Sequence, residues 1–140
     1  MSKEFIYKKL NQIIKLISEL ESLLDMTFPE FSKNFTTIRS AERNFQLMVE
    51  QASDINNHML LELGNVAPDS YKSSFIQIVK IGIIDNKILK DLIKSSNLRN
   101  ILIHEYDFDQ DNFIFYKSAK KLIPVYKEYV KAIEKYLNKK

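Results

Sequence analysis

The sequence predicts an all-α fold, an up-and-down antiparallel bundle of four to five helices. Breakers are scarce, with two glycines and three prolines in 140 residues. Long stretches consist of Leu, Ile, Lys, Glu, Gln and Asn, which favour helix. Apolar residues also recur at three- and four-residue spacing, the period of a helix with one buried face. At 45% hydrophobic content the chain is long enough for one sizeable core and too short for two, so residues 1–140 are read as a single domain.

Phe5, Ile6, Leu10, Ile13, Ile14, Ile17, Leu20 and Leu24 define an amphipathic helix over about residues 3–25, closed by Thr27 to Pro29. A second helix is expected from about Glu30 to Leu63, with Phe31, Phe35, Ile38, Phe45, Met48, Ala52, Ile55 and Met59 inward. It is long enough to contain a bend, and Gly64 stops it. After a short loop over 65–69, Ser70 or Asp69 caps a third helix running through Phe75, Ile78 and Val79 to about Gly82. Asp85 caps a fourth, through Ile88, Leu89, Leu92, Ile93 and Ser96. The polar loop 107–112 then leads to a last helix from Phe113 to Leu137, with Phe115, Leu122, Val125, Tyr129, Ile133 and Tyr136 as buried candidates. Pro124 removes one backbone bond and crowds the preceding turn, so a kink or restart is expected near Ile123.

Composition narrows the function. The chain has no cysteine, which removes disulfides, thiolate zinc sites and cysteine nucleophiles, and suits a reducing cytoplasm. Glu4, Lys8, Lys9 and Lys15 interrupt the first helix, no signal peptide is read there, and no run reaches the ~20 apolar residues of a membrane span. A soluble cytoplasmic protein is expected. Net charge is +3, yet residues 117–140 hold eight lysines against Glu128 and Glu134, a local +6 that leaves −3 elsewhere. That segment suits a phosphate backbone, and it equally suits the solvated face of a last helix.

The candidate chemistry lies in Arg99-Asn-Ile-Leu-Ile-His-Glu-Tyr106, at the C-terminal end of the fourth helix. Arginine presents a planar fork of donors that fits phosphate oxygens, and histidine, with an unperturbed pKa of roughly 6.5, moves protons both ways near neutrality. Five residues separate Arg99 from His104, placing them about 140° apart around an ideal helix. Arg99 and Tyr106 fall nearly on one face, and Asn100 and His104 share another. Either the helix ends before His104 and the chain turns, or a symmetric partner completes the site. Metal-free RNA cleavage needs both a base for the 2′-hydroxyl and an acid for the leaving oxygen, which a two-fold dimer supplies with two imidazoles. The plainer alternative is that Arg99 pairs with a carboxylate and His104 caps the helix.

Two further patterns lead elsewhere. Asp54, His58 and Glu62 form an acid, imidazole, acid stripe that lacks a convincing additional metal ligand, so no metal site is assigned. Asp107, Asp109 and Asp111 alternate like a calcium loop, but the sixth and twelfth positions are Asn112 and Ser118, where glycine and glutamate are required. That run reads as a solvated turn and helix cap.

The Arg99, Asn100, His104 pattern resembles the motif of the HEPN superfamily, and Tyr106, two residues after His104, points to its HepT-like toxins. The resemblance extends to Arg43, Glu50 and Asp54, to Pro68-Asp-Ser-Tyr-Lys72 and to Gly82-Ile-Ile-Asp85, covering about residues 40–137. Leu98 departs from it, since many relatives carry an aromatic there. The resemblance implies a HEPN-like bundle and a metal-independent endoribonuclease toxin acting as a homodimer on RNA, with no cofactor. Arg99 would stabilise the scissile phosphate, His104 would transfer protons, and Asn100 would position them. Glu50 and Asp54 would support Arg99 or His104. It also implies a minimal nucleotidyltransferase (MNT) antitoxin that transfers AMP to Tyr106 and silences the nuclease. A different class of function, a non-catalytic helical module that binds a nucleotidyltransferase, shares that partner but cuts no RNA. A nucleotide-binding bundle without cleavage fits less well, because no glycine-rich phosphate loop is present.

Overall fold

The computed structural model describes residues 3–104 and 112–139. Six helices account for most of them: α1 Lys3–Leu23, α2 Phe28–Lys33, α3 Phe35–Glu62, α4 Tyr71–Lys80, α5 Leu89–His104 and α6 Asn112–Asn138, with one 3-10 turn, Asn86–Ile88, leading into α5. The all-α bundle is the expected class. The number of helices exceeds the expected four to five because the second predicted helix is two.

Asn34 makes that break. It closes α2 with its backbone N–H on the Phe31 carbonyl, and its side-chain oxygen accepts from Thr37 N at 3.0 Å to open α3. One asparagine thus satisfies orphan groups of two helices. Phe35, expected inward, becomes the first residue of α3 and is 68% exposed, with the Arg39 guanidinium 4.7 Å over its ring. Phe5 and Ile14 are also more exposed than their spacing implies, whereas Ile6, Leu10, Ile13, Ile17, Leu20 and Leu24 are buried.

Other boundaries follow local chemistry. Gly64 and Gly82 take φ of +82° and +88°, a left-handed conformation that ends α3 and α4. At the first, Asn65 N reaches Leu60 O and Gly64 N reaches Leu61 O; at the second, Ile83 N and Gly82 N reach Ile78 O and Val79 O. Ser70, rather than Asp69, caps α4 by accepting from Ser73 N at 3.0 Å, and Asp85 accepts from Lys87 N at 2.9 Å before α5. Pro124 lies inside α6, which does not restart at Ile123. Lys120 and Pro124 both face solvent, so water can satisfy the carbonyl that loses its donor, while Leu122, Ile123 and Tyr126 anchor the helix on its buried side.

Side-chain pairings give the directions. Lys9 with Asp54 and Asn44 with Glu19 run α1 antiparallel to α3; Tyr7 with Asn138 and Lys127 with Glu21 do the same for α1 and α6. Against α6, Ser95 meets Tyr126 and Lys87 meets Glu128. α3 also packs on α4 and α5, which brings the middle of α3, the start of α4 and the end of α5 together. The core contains Phe31, Phe45, Phe75, Phe115, Tyr126 and Tyr129, all fully buried.

A buried polar chain locks this arrangement. The Tyr129 hydroxyl donates to Asn56 Oδ1 at 2.6 Å, Asn56 Nδ2 donates to Ser74 Oγ at 3.2 Å, and Ser74 Oγ donates to the Tyr71 carbonyl at 2.8 Å. Each link satisfies a group that would be costly to bury alone. The chain fixes the first turn of α4, which carries Tyr71 to the candidate site.

Candidate active site

Arg99 stands more than one turn before the end of α5, and three elements hold it. Its Nη2 donates to Glu50 Oε2 of α3 at 3.0 Å, its Nη1 donates to the neighbouring Asn100 Oδ1 at 3.3 Å, and its guanidinium carbon lies 4.4 Å over the Tyr71 ring of α4. The pair is largely enclosed, with the Arg99 and Glu50 side chains 14% and 26% exposed. Charge assistance and partial desolvation both strengthen the bond to Glu50, and the stacked ring fixes the guanidinium plane. Arg99 Nε is buried with no hydrogen-bond partner among the described residues.

The ring beneath it is affected in turn. Burial pushes the Tyr71 phenol above its usual 10.0; the Arg99 charge opposes the rise, and the Glu50 and Asp54 carboxylates add to it. At neutral pH the phenol is protonated and offers a donor.

The site residues expected from sequence are not all gathered here. Glu50 and Asn100 touch Arg99, whereas Asp54, one turn beyond Glu50, accepts from Lys9 Nζ of α1 at 3.1 Å. Among the described residues Asp54 acts on the site through its field on Tyr71. His104 is the final helical residue of α5, so the helix does not end before it, and the Arg99 to His104 spacing keeps the two about 140° apart around the axis. Glu105, Tyr106 and the acidic positions Asp107, Asp109 and Asp111 lie outside the described residues. His58 stacks on Phe5 with ring centroids 4.5 Å apart, and its Nε2 is 3.8 Å from Glu62 Oε1, on the α1 side of α3.

Sequence reasoning gave Tyr71 no role at the site. Its position just after the Ser70 cap was legible, but no spacing rule connects residues 71 and 99. A groove of about 350 Å³ beside Arg99 was likewise unforeseen; Ser53, Asn57, Pro68, Asp69, Tyr71 and Asn100 line it. A partial signal existed on α3, where Glu50, Ser53 and Asn57 follow the three-four spacing of one helix face.

Comparison with known proteins places the chain. It is 30% identical over 132 residues to "tRNA nuclease HepT" of Aphanizomenon flos-aquae, covering 94% of this chain and 89% of that one. It is 31% identical over 77 residues to "mRNA nuclease HepT" of Shewanella oneidensis, covering 55% and 58% of the two. The fold matches a tri-AMPylated Shewanella oneidensis HEPN toxin in complex with MNT antitoxin, with a TM-score of 0.84, 23% identity, and coverage of 93% of this chain and 96% of that one. A family model described as ribonuclease HepT-like matches residues 13–133. With that match spanning the bundle from within α1 to within α6, the chain belongs to the HepT-like ribonuclease family.

Proposed function

We propose that this protein is a metal-independent endoribonuclease toxin that cleaves RNA in a cleft formed by two copies of the chain. The observation that carries the reading is the Arg99 cluster: an enclosed guanidinium, stacked on Tyr71 and oriented by Glu50, on the helix that ends at His104. Family membership and the nuclease names of the relatives support it.

The chemistry follows from the groups. A base takes the proton of the RNA 2′-hydroxyl, whose oxygen attacks the adjacent phosphorus; the bond to the 5′-oxygen breaks, and an acid protonates that leaving oxygen. Arg99 stabilises charge on the phosphoryl oxygens, and Asn100 positions the phosphate. One imidazole does not serve as base and acid in the same step, and about 140° of helix separates His104 from Arg99 in one chain. Two chains related by a two-fold axis supply two His104 imidazoles and let Arg99 of one copy serve His104 of the other.

Regulation is proposed at Tyr106. An MNT antitoxin would transfer AMP from ATP to its phenolic oxygen with release of pyrophosphate, adding a phosphate that competes for Arg99 and obstructs RNA. The complex formed by the AMPylated Shewanella oneidensis toxin supports this partner.

Gel analysis of RNA incubated with the purified protein in EDTA tests the assignment. Cleavage is expected from the wild-type chain and loss of at least about 10²-fold from Arg99→Ala and His104→Ala; undiminished cleavage by either variant overturns the chemistry. Light scattering tests the dimer, and a strictly monomeric active enzyme removes the composite site. Mass spectrometry after co-expression with an MNT protein tests Tyr106, where an unmodified tyrosine removes the regulatory claim.

A further inference from the structure

The groove beside Arg99 has the wrong charge for a phosphate. Among the described residues its walls carry one carboxylate, Asp69, and no cationic side chain. Polar acceptors and flat apolar surfaces line it instead. Asn57, whose Oδ1 has no hydrogen-bond partner among the described residues, adds an amide side chain to the wall. Pro68 and the Tyr71 ring supply surfaces on which a flat ligand stacks. At about 350 Å³ the groove sits at the lower end of small-molecule sites, suited to one ring system rather than a length of chain.

Its position connects it to the reaction. Tyr71 and Asn100 are groove walls and also the residues that stack on and hydrogen-bond to Arg99. A phosphate held by Arg99 therefore places an adjoining nucleotide at the mouth of the groove.

We infer that this groove is a base-recognition subsite that takes guanine next to the phosphate bound by Arg99, with Asp69 and Asn57 as its specificity determinants. The inference rests on the ribonuclease reading above. Guanine presents N1–H and the N2 amine side by side, two parallel donors for the two oxygens of one carboxylate, and leaves further donor capacity for Asn57 Oδ1. Uracil offers one N–H flanked by two carbonyls, which face the Asp69 carboxylate unfavourably. Adenine and cytosine each offer one amine beside an unprotonated ring nitrogen. Tyr71 supports whichever base enters through stacking, so it contributes affinity and Asp69 contributes choice.

Titration of the purified chain with 3′-GMP, 3′-AMP, 3′-CMP and 3′-UMP, followed by calorimetry and by the side-chain amide NMR signals of Asn57 and Asn100, tests the subsite. Binding of 3′-GMP about tenfold tighter than 3′-UMP is expected, with Asp69→Asn and Asn57→Ala each removing most of that preference and leaving the affinity for inorganic phosphate unchanged. Asp69 is exposed in a turn, so Asp69→Asn remains interpretable even where Asn57→Ala lowers stability. Equal affinity for the four nucleotides, or a preference that survives both substitutions, overturns the inference. RNA cleavage separates the two claims. A chain that cuts no RNA but keeps an Asp69-dependent guanine preference refutes the ribonuclease reading alone, and one that cuts RNA without base preference refutes the subsite alone.

Discussion

Arg99 is held by one charged partner, one amide and one ring, and these contribute unequally. Glu50 supplies a charge-assisted bond in a partly desolvated setting, so Glu50→Ala is expected to lower kcat/KM for RNA cleavage by about tenfold through misorientation of the guanidinium. Tyr71 acts through its ring face. Tyr71→Phe is therefore expected to stay within about twofold of wild type and Tyr71→Ala to lose about tenfold, a contrast that steady-state kinetics on one RNA substrate resolves. Equal losses in both Tyr71 variants would locate its contribution in the hydroxyl. At this scale the support of Arg99 by Glu50 and its contact with Asn100 were legible from motif and resemblance. The partnership of Asp54 with Lys9 was not, because Glu50 and Asp54 share a helix face in sequence and only the packing of α1 decides which carboxylate faces which cation.

Elements are bounded by a small set of residues whose conformations are visible in sequence. Gly64 has φ of +82°, and a Cβ there would meet nothing within 4 Å, so Gly64→Ala carries only the backbone cost of a left-handed residue. A loss of about 1 kcal/mol in thermal melts is expected. Asn34→Ala is expected to cost about 1 kcal/mol by removing the N-cap of α3, read in the same melts. The end of α3 was predictable because a glycine after an apolar helix face has one dominant use. The Asn34 break was obscured because Phe31, Phe35 and Ile38 continue the helical spacing across it, and spacing does not distinguish one bent helix from two. The restart that Pro124 allowed does not occur, for the opposite reason: a local breaker was weighed without the packing that carries α6 through it.

The whole molecule depends on polar groups sealed inside the bundle. Asn56 joins α3 to α6 and α4, so Asn56→Leu is expected to cost about 1–3 kcal/mol, seen as a lower denaturant midpoint with an unchanged slope. Burial pushes the Tyr126 and Tyr129 phenols above the usual 10.0, with the Ser95 hydrogen bond opposing the rise at Tyr126 and the neighbouring Tyr126 adding to it at Tyr129. Above pH 10 the unfolded chain releases these protons while the folded chain retains them. Their contribution is therefore fully present below pH 10 and declines above it, by about 1.4 kcal/mol per pH unit for each phenol. Denaturation series from pH 9 to 11 should show that slope reduced in Tyr126→Phe. The amino-acid sequence by itself determined the helical class and most helix ends, because periodicity and capping are local properties written along the chain. Tertiary structure decided that Glu50, Tyr71 and Arg99 meet, that Asp54 turns to Lys9, and that a groove lined by Asn57, Asp69 and Tyr71 adjoins them. Those contacts join residues far apart in sequence, and they form only when four helices bury their apolar faces against one another.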